Sequence, residues 1–214
     1  MIRLGVLVSG GGTNLQAILD AIAAGQLDAE VAVVVSNKKE AGGLARAAKA
    51  GVPTVVVPHG DYPDRRAFDA ALVAVLRERG VEWVVLAGFM RLLTEVFLEA
   101  FALRTVNIHP ALLPAFPGVD GQRQALAYGV RVAGCTVHLV DRGTDTGPIV
   151  AQAVVPVLPD DDEESLKARI LVEEHALLPT VLQWIAAGKV QIETSPDGRP
   201  RVRVTGAKTA FGLA

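Results

Sequence analysis

Asn107 and His109 stand two residues apart in the run Thr105-Val-Asn-Ile-His-Pro110. The β-branched residues around them predict a short strand, whose period of two projects both side chains from one face at its carboxyl end. An amide and an imidazole placed together can donate hydrogen bonds to the oxyanion that forms when a nucleophile attacks a carbonyl. The segment Asp141-Arg-Gly-Thr-Asp-Thr-Gly147 offers the carboxylates Asp141 and Asp145, between glycines that permit tight turns. A carboxylate within about 4–6 Å of His109 would favour the imidazolium, the better donor. On these segments alone a structural strand histidine and a capped hairpin loop remain open alternatives. In Cys135-Thr-Val-His-Leu-Val140, alternation sets Thr136 and His138 opposite Cys135, Val137 and Leu139, as at the wall of a polar site.

A second chemical feature is Val8-Ser-Gly-Gly-Gly-Thr-Asn-Leu15, between an apolar run and an amphipathic stretch. Three glycines let the backbone approach a ligand, and free N–H groups at a helix start attract an anion. Leu15 stands where a dinucleotide fingerprint needs its last glycine, and no Gly-Lys-Ser/Thr follows. A phosphate cradle and a glycine turn capped by Thr13 or Asn14 are both compatible with the spacing.

These residues need a scaffold, and the first half of the chain supplies one. Short apolar runs at Leu4–Ser9, Val31–Ser36, Thr54–Val57 and Val84–Ala87 alternate with helical patterns near Asn14–Ala24, Gly43–Ala50 and Arg65–Arg79. Such alternation predicts a parallel sheet covered on both faces, with ligands collecting beyond the carboxyl ends of its strands. The second half differs: a Pro- and Gly-rich loop over 110–118, a short helix near Gln122–Tyr128, then strands Gly134–Val140 and Ile149–Val157. The link between those two strands is too short for a parallel crossover, so they should pair antiparallel. Ser165–Ala187 reads as a long helix that Pro179 should kink or break near Leu178, and Val190–Val204 as a terminal hairpin.

Composition narrows the function class. The 214 residues, half of them hydrophobic, suffice for one substantial core, and a single domain spanning 1–214 is expected. With 21 basic and 23 acidic residues the net charge is −2, and no basic stripe suggests a nucleic-acid surface. Cys135 is the only cysteine, and the four histidines show no metal-ligand spacing, so no metal site is expected. No run approaches a membrane span, and Met1–Val8 leads directly into the first strand; a cytoplasmic location is expected. The acidic run Asp160–Glu164 reads as charge at a helix start.

Taken in order, Ser9-Gly-Gly-Gly-Thr-Asn-Leu15, Leu86-Ala-Gly-Phe-Met-Arg91, Asn107-Ile-His-Pro-Ala-Leu-Leu-Pro114 and Val137-His-Leu-Val140 with Asp145-Thr-Gly-Pro-Ile149 resemble the phosphoribosylglycinamide formyltransferase family. The resemblance runs along essentially the whole chain. It implies a Rossmann-like α/β formyltransferase fold: a mostly parallel sheet, an antiparallel C-terminal part and helices on both faces. Residues 1–100 would form a phosphate-binding half, 101–190 a catalytic and folate-binding half, and 190–214 a terminal hairpin and tail. It further implies that 10-formyltetrahydrofolate, as co-substrate and without a metal, gives its formyl group to the amine of 5′-phosphoribosylglycinamide in de novo purine biosynthesis. The products would be formylglycinamide ribonucleotide and tetrahydrofolate.

By motif position the resemblance makes Asn107, His109 and Asp145 catalytic. Gly12, Thr13 and Asn14 would hold the substrate phosphate and Glu174 the ribose hydroxyls, although Glu174 by itself reads as a solvated helix residue. Arg65, Met90, Arg91, Leu92, Leu93, Asn107, Val140 and Asp141 would meet the folate, the loop from Val140 to Asp145 closing over the pterin. Asp120 and Leu171 depart from the family pattern at peripheral contacts. A formyltetrahydrofolate deformylase-like relative and a non-catalytic folate- or phosphate-binding module are the rival readings. The length is expected to exclude the extra domains of a deformylase or of a methionyl-tRNA formyltransferase. Both a monomer and a homodimer fit the sequence.

Overall fold

In a computed structural model that describes residues 1–212, the apolar runs form the strands of one eight-stranded sheet. The elements in chain order are β1 (Ile2–Val8), α1 (Thr13–Ala23), β2 (Ala29–Ser36), α2 (Gly42–Lys49), β3 (Thr54–Val56), α3 (Arg65–Glu78), β4 (Trp83–Leu86) and α4 (Glu95–Ala100). The second half contributes β5 (Thr105–His109), α5 (Gly121–Tyr128), β6 (Val132–Leu139), β7 (Ile149–Pro156), α6 (Glu163–Ala186), β8 (Val190–Thr194), β9 (Pro200–Val204) and β10 (Ala210–Phe211). The strand order is β10-β7-β6-β5-β4-β1-β2-β3, with β8 and β9 as a separate hairpin.

The expected α/β architecture is present. β3, β2, β1, β4 and β5 run parallel, while β5 pairs antiparallel with β6, and β6 with β7. Alternation sends Leu4, Val6 and Val8 to one face, where Leu15, Ile18, Leu166, Ile170, Leu178 and Leu182 of α1 and α6 cover them. Leu7, Val33, Val35, Val84 and Leu86 face the other side, under Phe68, Leu72, Leu76 and Phe97 of α3 and α4. Chain order reverses at β1: the chain moves outward to β2 and β3, then returns to β4 on the opposite side. The crevice beyond the carboxyl ends of β1 and β4 is therefore where a ligand fits without displacing a crossover helix.

Two details differ from the sequence expectation. Pro179 does not end α6, which continues from Glu163 to Ala186. An internal proline costs about 3 kcal/mol, but each fully buried leucine contributes about 1.5–3 kcal/mol, and Leu177, Leu178 and Leu182 around it are all buried. Tertiary packing outweighs the local penalty. The tail also adds β10, which pairs parallel with β7 at Gln152 and Ala153 and stacks Phe211 on Trp184. A two-residue strand carries too little pattern to be seen in sequence. The acidic run behaves as expected: Asp162 caps α6 by accepting from the Ser165 N–H at 2.8 Å, and Asp161 pairs with Arg169.

Candidate active site

β5 ends at the crevice, and its register with β6 sets Asn107 opposite His138 and His109 opposite Thr136. Asn107 Nδ2 lies 3.0 Å from His138 Nε2, and His138 Nδ1 lies 3.0 Å from the Leu139 carbonyl. A carbonyl only accepts, so His138 Nδ1 carries a proton, while Nε2 lies against the Asn107 amide nitrogen on one side and the Asp145 carboxylate on the other. That leaves the second Asn107 N–H for a ligand.

His109 is buried, with Nε2 donating to the Phe116 carbonyl at 2.9 Å and Nδ1 lying 3.4 Å from Asp145 Oδ2. Asp145 Oδ1 lies 3.6 Å from His138 Nε2, so the carboxylate sits between the two rings. The Gly118 N–H donates to Asp145 Oδ2 at 2.8 Å, tying the 110–118 loop to the same carboxylate. Burial pushes the Asp145 carboxyl up, but the His138 ring, the Gly118 N–H and the His109 ring together hold it below its ordinary value. An ionised acceptor facing Nδ1 and a carbonyl facing Nε2 form the environment that a doubly protonated imidazole satisfies. The Phe116 carbonyl occupies the N–H that an oxyanion would need, so a substrate oxygen has to replace it.

The loop carrying Asp145 is self-braced. Asp141 Oδ1 accepts from the Gly143 N–H at 3.0 Å and from Thr146 Oγ1 at 2.7 Å. Asp145 itself takes a left-handed backbone, with φ of 55°. A side chain at Gly147 would strike the Leu139 carbonyl, so only glycine lets the loop return this closely.

The glycine-rich segment forms the second half of the crevice. Gly12, with φ of 72°, precedes α1, and neither Thr13 nor Asn14 caps it with a side chain, so the simple capped turn is excluded. A Cβ on Gly12 would lie 2.5 Å from the Gly43 Cα, while the Gly43 N–H donates to the Gly10 carbonyl at 3.0 Å. Arg46 Nε adds a hydrogen bond to the Gly11 carbonyl at 2.8 Å. The first N–H groups of α1 thus face the crevice at a positive dipole end.

Asn14 Nδ2 donates to Glu174 Oε2 at 2.7 Å across 160 residues of sequence, both side chains being buried. Asn14 Oδ1 has no partner among the described residues. Burial raises the Glu174 carboxyl above its ordinary value, with the Asn14 hydrogen bond and Lys167 opposing. The solvated-helix reading of Glu174 is overturned, because the helix turns this position inward against α1.

The residues expected to meet folate lie at the start of α3, in the segment after β4, on β5 and in the loop after β6. Arg65 is exposed at the start of α3, Met90 and Leu92 are 68% and 60% exposed, and Arg91, Leu93, Val140 and Asp141 are half-buried. Asp120 is exposed and pairs with Arg123 rather than facing the cluster. Leu171 is half-buried on α6. A groove of about 770 Å³ between α1 and α6 begins at Thr13, Arg46 and His175 and ends at Gln183 and Trp184; Asn107, His109 and Asp145 do not line it.

Sequence reasoning gave His138, the Phe116 carbonyl and the Gly118 N–H no role. Alternation along β6 did place His138 on the polar face. The two backbone groups left no signal, because any residue supplies a carbonyl and nearly any an N–H. Among the described residues no group of three His, Cys, Asp or Glu side chains is arranged to hold a metal ion, and no helix is long and apolar enough to cross a membrane.

Comparison with known proteins agrees with this architecture. The family model described as formyl transferase matches residues 2–182. Phosphoribosylglycinamide formyltransferase of Mycobacterium tuberculosis is 50% identical over 199 residues, covering 92% of each chain. The trifunctional purine biosynthetic protein adenosine-3 of Drosophila pseudoobscura pseudoobscura is 49% identical over 191 residues, which are 88% of this chain but only 14% of that much longer protein. The crystal structure of glycinamide ribonucleotide transformylase 1 from Symbiobacterium toebii superposes with a TM-score of 0.92 at 54% identity, covering 95% of this chain and 94% of the other. Matched by its family model over most of its length, and by relatives at about half identity, the chain belongs to the formyl transferase family.

Proposed function

We propose that the chain transfers the formyl group of 10-formyltetrahydrofolate to the amine of 5′-phosphoribosylglycinamide, a step of purine biosynthesis. The observation that carries the chemistry is Asp145 set against His109 at 3.4 Å, beside an Asn107 amide with one N–H to spare. The substrate amine attacks the formyl carbon and the carbonyl electrons move to oxygen. Asn107 and His109 donate to that oxyanion, the substrate oxygen taking the place of the Phe116 carbonyl. Asp145 stabilises the imidazolium and, through water, helps carry a proton from the attacking nitrogen to the folate nitrogen that leaves. The tetrahedral centre collapses to the formylated amine and tetrahydrofolate.

Specificity comes from both halves of the crevice. The α1 N-terminus at Gly12, Thr13 and Asn14 holds the phosphate. The Asn14–Glu174 pair meets the ribose hydroxyls, with the unpartnered Asn14 Oδ1 ready to accept from one of them. Arg65, the 90–93 segment, Asn107, Val140 and Asp141 hold the folate. On this reading residues 1–214 act as one domain in the cytoplasm, without a metal, as a monomer or homodimer. The test is turnover of 10-formyltetrahydrofolate by the purified protein with and without phosphoribosylglycinamide. Tetrahydrofolate should appear only with the amine present. Equal release without it makes the protein a deformylase, and tight binding without turnover makes it a binding module.

A further inference from the structure

The segment 90–94 following β4 exposes Met90 and Leu92 yet is tied at both ends to buried side chains. Met90 and Leu92 present large apolar side chains that are 68% and 60% exposed. A free loop of this composition would fold those side chains against the protein, since exposed apolar surface is costly. It is held instead by two buried side chains from different elements. At one end the Met90 N–H donates to Ser9 Oγ at 2.9 Å, and the Ser9 hydroxyl donates to Asn37 Oδ1 at 2.7 Å. The Ser9 N–H also donates to the Gly88 carbonyl at 3.1 Å. At the other end Asp69 Oδ2 accepts from the Thr94 N–H at 2.5 Å and from Thr94 Oγ1 at 2.7 Å. Ser9, Asn37 and Asp69 are 5%, 3% and 0% exposed, so water cannot replace these bonds.

The two anchors reach further. Ser9 directly precedes the glycine-rich segment, and Asn37 Nδ2 approaches His59 Nδ1 at 3.4 Å, so the chain ends beyond β1, β2 and β4 are knitted through one hydroxyl. Asp69 lies one turn into α3 from Arg65, and the charges of Arg65 and Arg91 both act on it. Its other oxygen, Oδ1, has no hydrogen-bond partner among the described residues. A fully buried carboxylate is expensive to maintain, and the bonds it makes are the two at Thr94. That cost is explained if the position of the 90–94 segment matters to function.

We propose that Ser9 and Asp69 are positioning residues that hold segment 90–94 as a preformed shelf for the folate co-substrate. Ser9 additionally sets that shelf relative to the phosphate-binding loop. The inference rests on the assignment of Arg65 and 90–93 to folate. A preformed shelf spares the co-substrate the cost of ordering the loop, so its loss appears in folate binding before it appears in the chemistry.

The experiment compares steady-state kinetics of the intact protein with Ser9→Ala and Asp69→Asn, alongside thermal midpoints. Each variant removes or weakens buried hydrogen bonds while keeping side-chain size close. The expected result is a rise of about tenfold in KM for 10-formyltetrahydrofolate, with kcat and KM for phosphoribosylglycinamide within about twofold. A purely structural role lowers the thermal midpoint and the active fraction but leaves both KM values alone, and that pattern overturns the proposal. Arg65→Ala and Leu92→Ala separate the two levels of argument. If they raise the folate KM and the anchor variants do not, the shelf inference fails alone. If neither set does, the folate assignment fails and the shelf with it.

Discussion

Asp145→Asn isolates the charge that faces His109. Asparagine tolerates the left-handed backbone found here, φ of 55°, and its carbonyl can still accept from the Gly118 N–H. The carboxylate oxygen lies 3.4 Å from His109 Nδ1. A full charge pair at that distance is worth about 5 kcal/mol at an effective dielectric of about 20. Only part of this is differential between ground and transition states, so about half, roughly 2–3 kcal/mol, is the expected rise in barrier. That corresponds to a loss of about 10²-fold in kcat. Initial rates of tetrahydrofolate formation at saturating substrate measure it, with phosphoribosylglycinamide affinity followed by calorimetry. Affinity should be unchanged, because the glycine-rich segment and Glu174 do not touch Asp145. A kcat within about threefold of the unmodified protein would refute the assigned role, and a parallel collapse of substrate affinity would show a structural effect instead.

His109→Ala should lower kcat by about 10²–10³ while phosphoribosylglycinamide binding persists; near-normal turnover would remove it from the oxyanion site. Glu174→Gln tests linkage: the folded state raises this carboxyl, so its contribution to stability is present below the ordinary glutamate range and is lost as pH rises through the raised value. Urea unfolding from acid to neutral pH should therefore show the unmodified protein losing stability relative to the variant, and the opposite trend contradicts the burial argument. The same variant should raise KM for phosphoribosylglycinamide about tenfold through loss of charge-assisted bonds to the ribose. Gly12→Ala meets Gly43 and an unfavourable positive φ, so both the thermal midpoint and phosphoribosylglycinamide affinity should fall; unchanged affinity would separate this loop from the phosphate.

Much of the fold was legible because each half of the pattern has one physical solution. Continuous β-branched runs separated by amphipathic stretches lead to a parallel sheet with two covered faces. The nine-residue link after β6 is too short for a parallel crossover and forces antiparallel pairing. Pro179 misled because helix propensity is local, whereas the leucines beside it are buried against other elements. β10 escaped because two residues have no periodicity.

At the site, the sequence alone determined which chemical groups share a strand face: Asn107 with His109, and Thr136 with His138, since the pleat alternates by geometry. It also marked the glycine-rich turn and the carboxylate-bearing loop as candidates. Which carboxylate meets which ring was decided by tertiary structure, because Asp145 reaches His109 only through the β6–β7 hairpin and the Gly118 contact. The same holds for Glu174. Its helix position looked solvated, and only the packing of α6 on α1 buries it against Asn14, 160 residues away in sequence. Strand alternation is encoded within a few residues, but a hydrogen bond between distant segments depends on where whole elements come to rest.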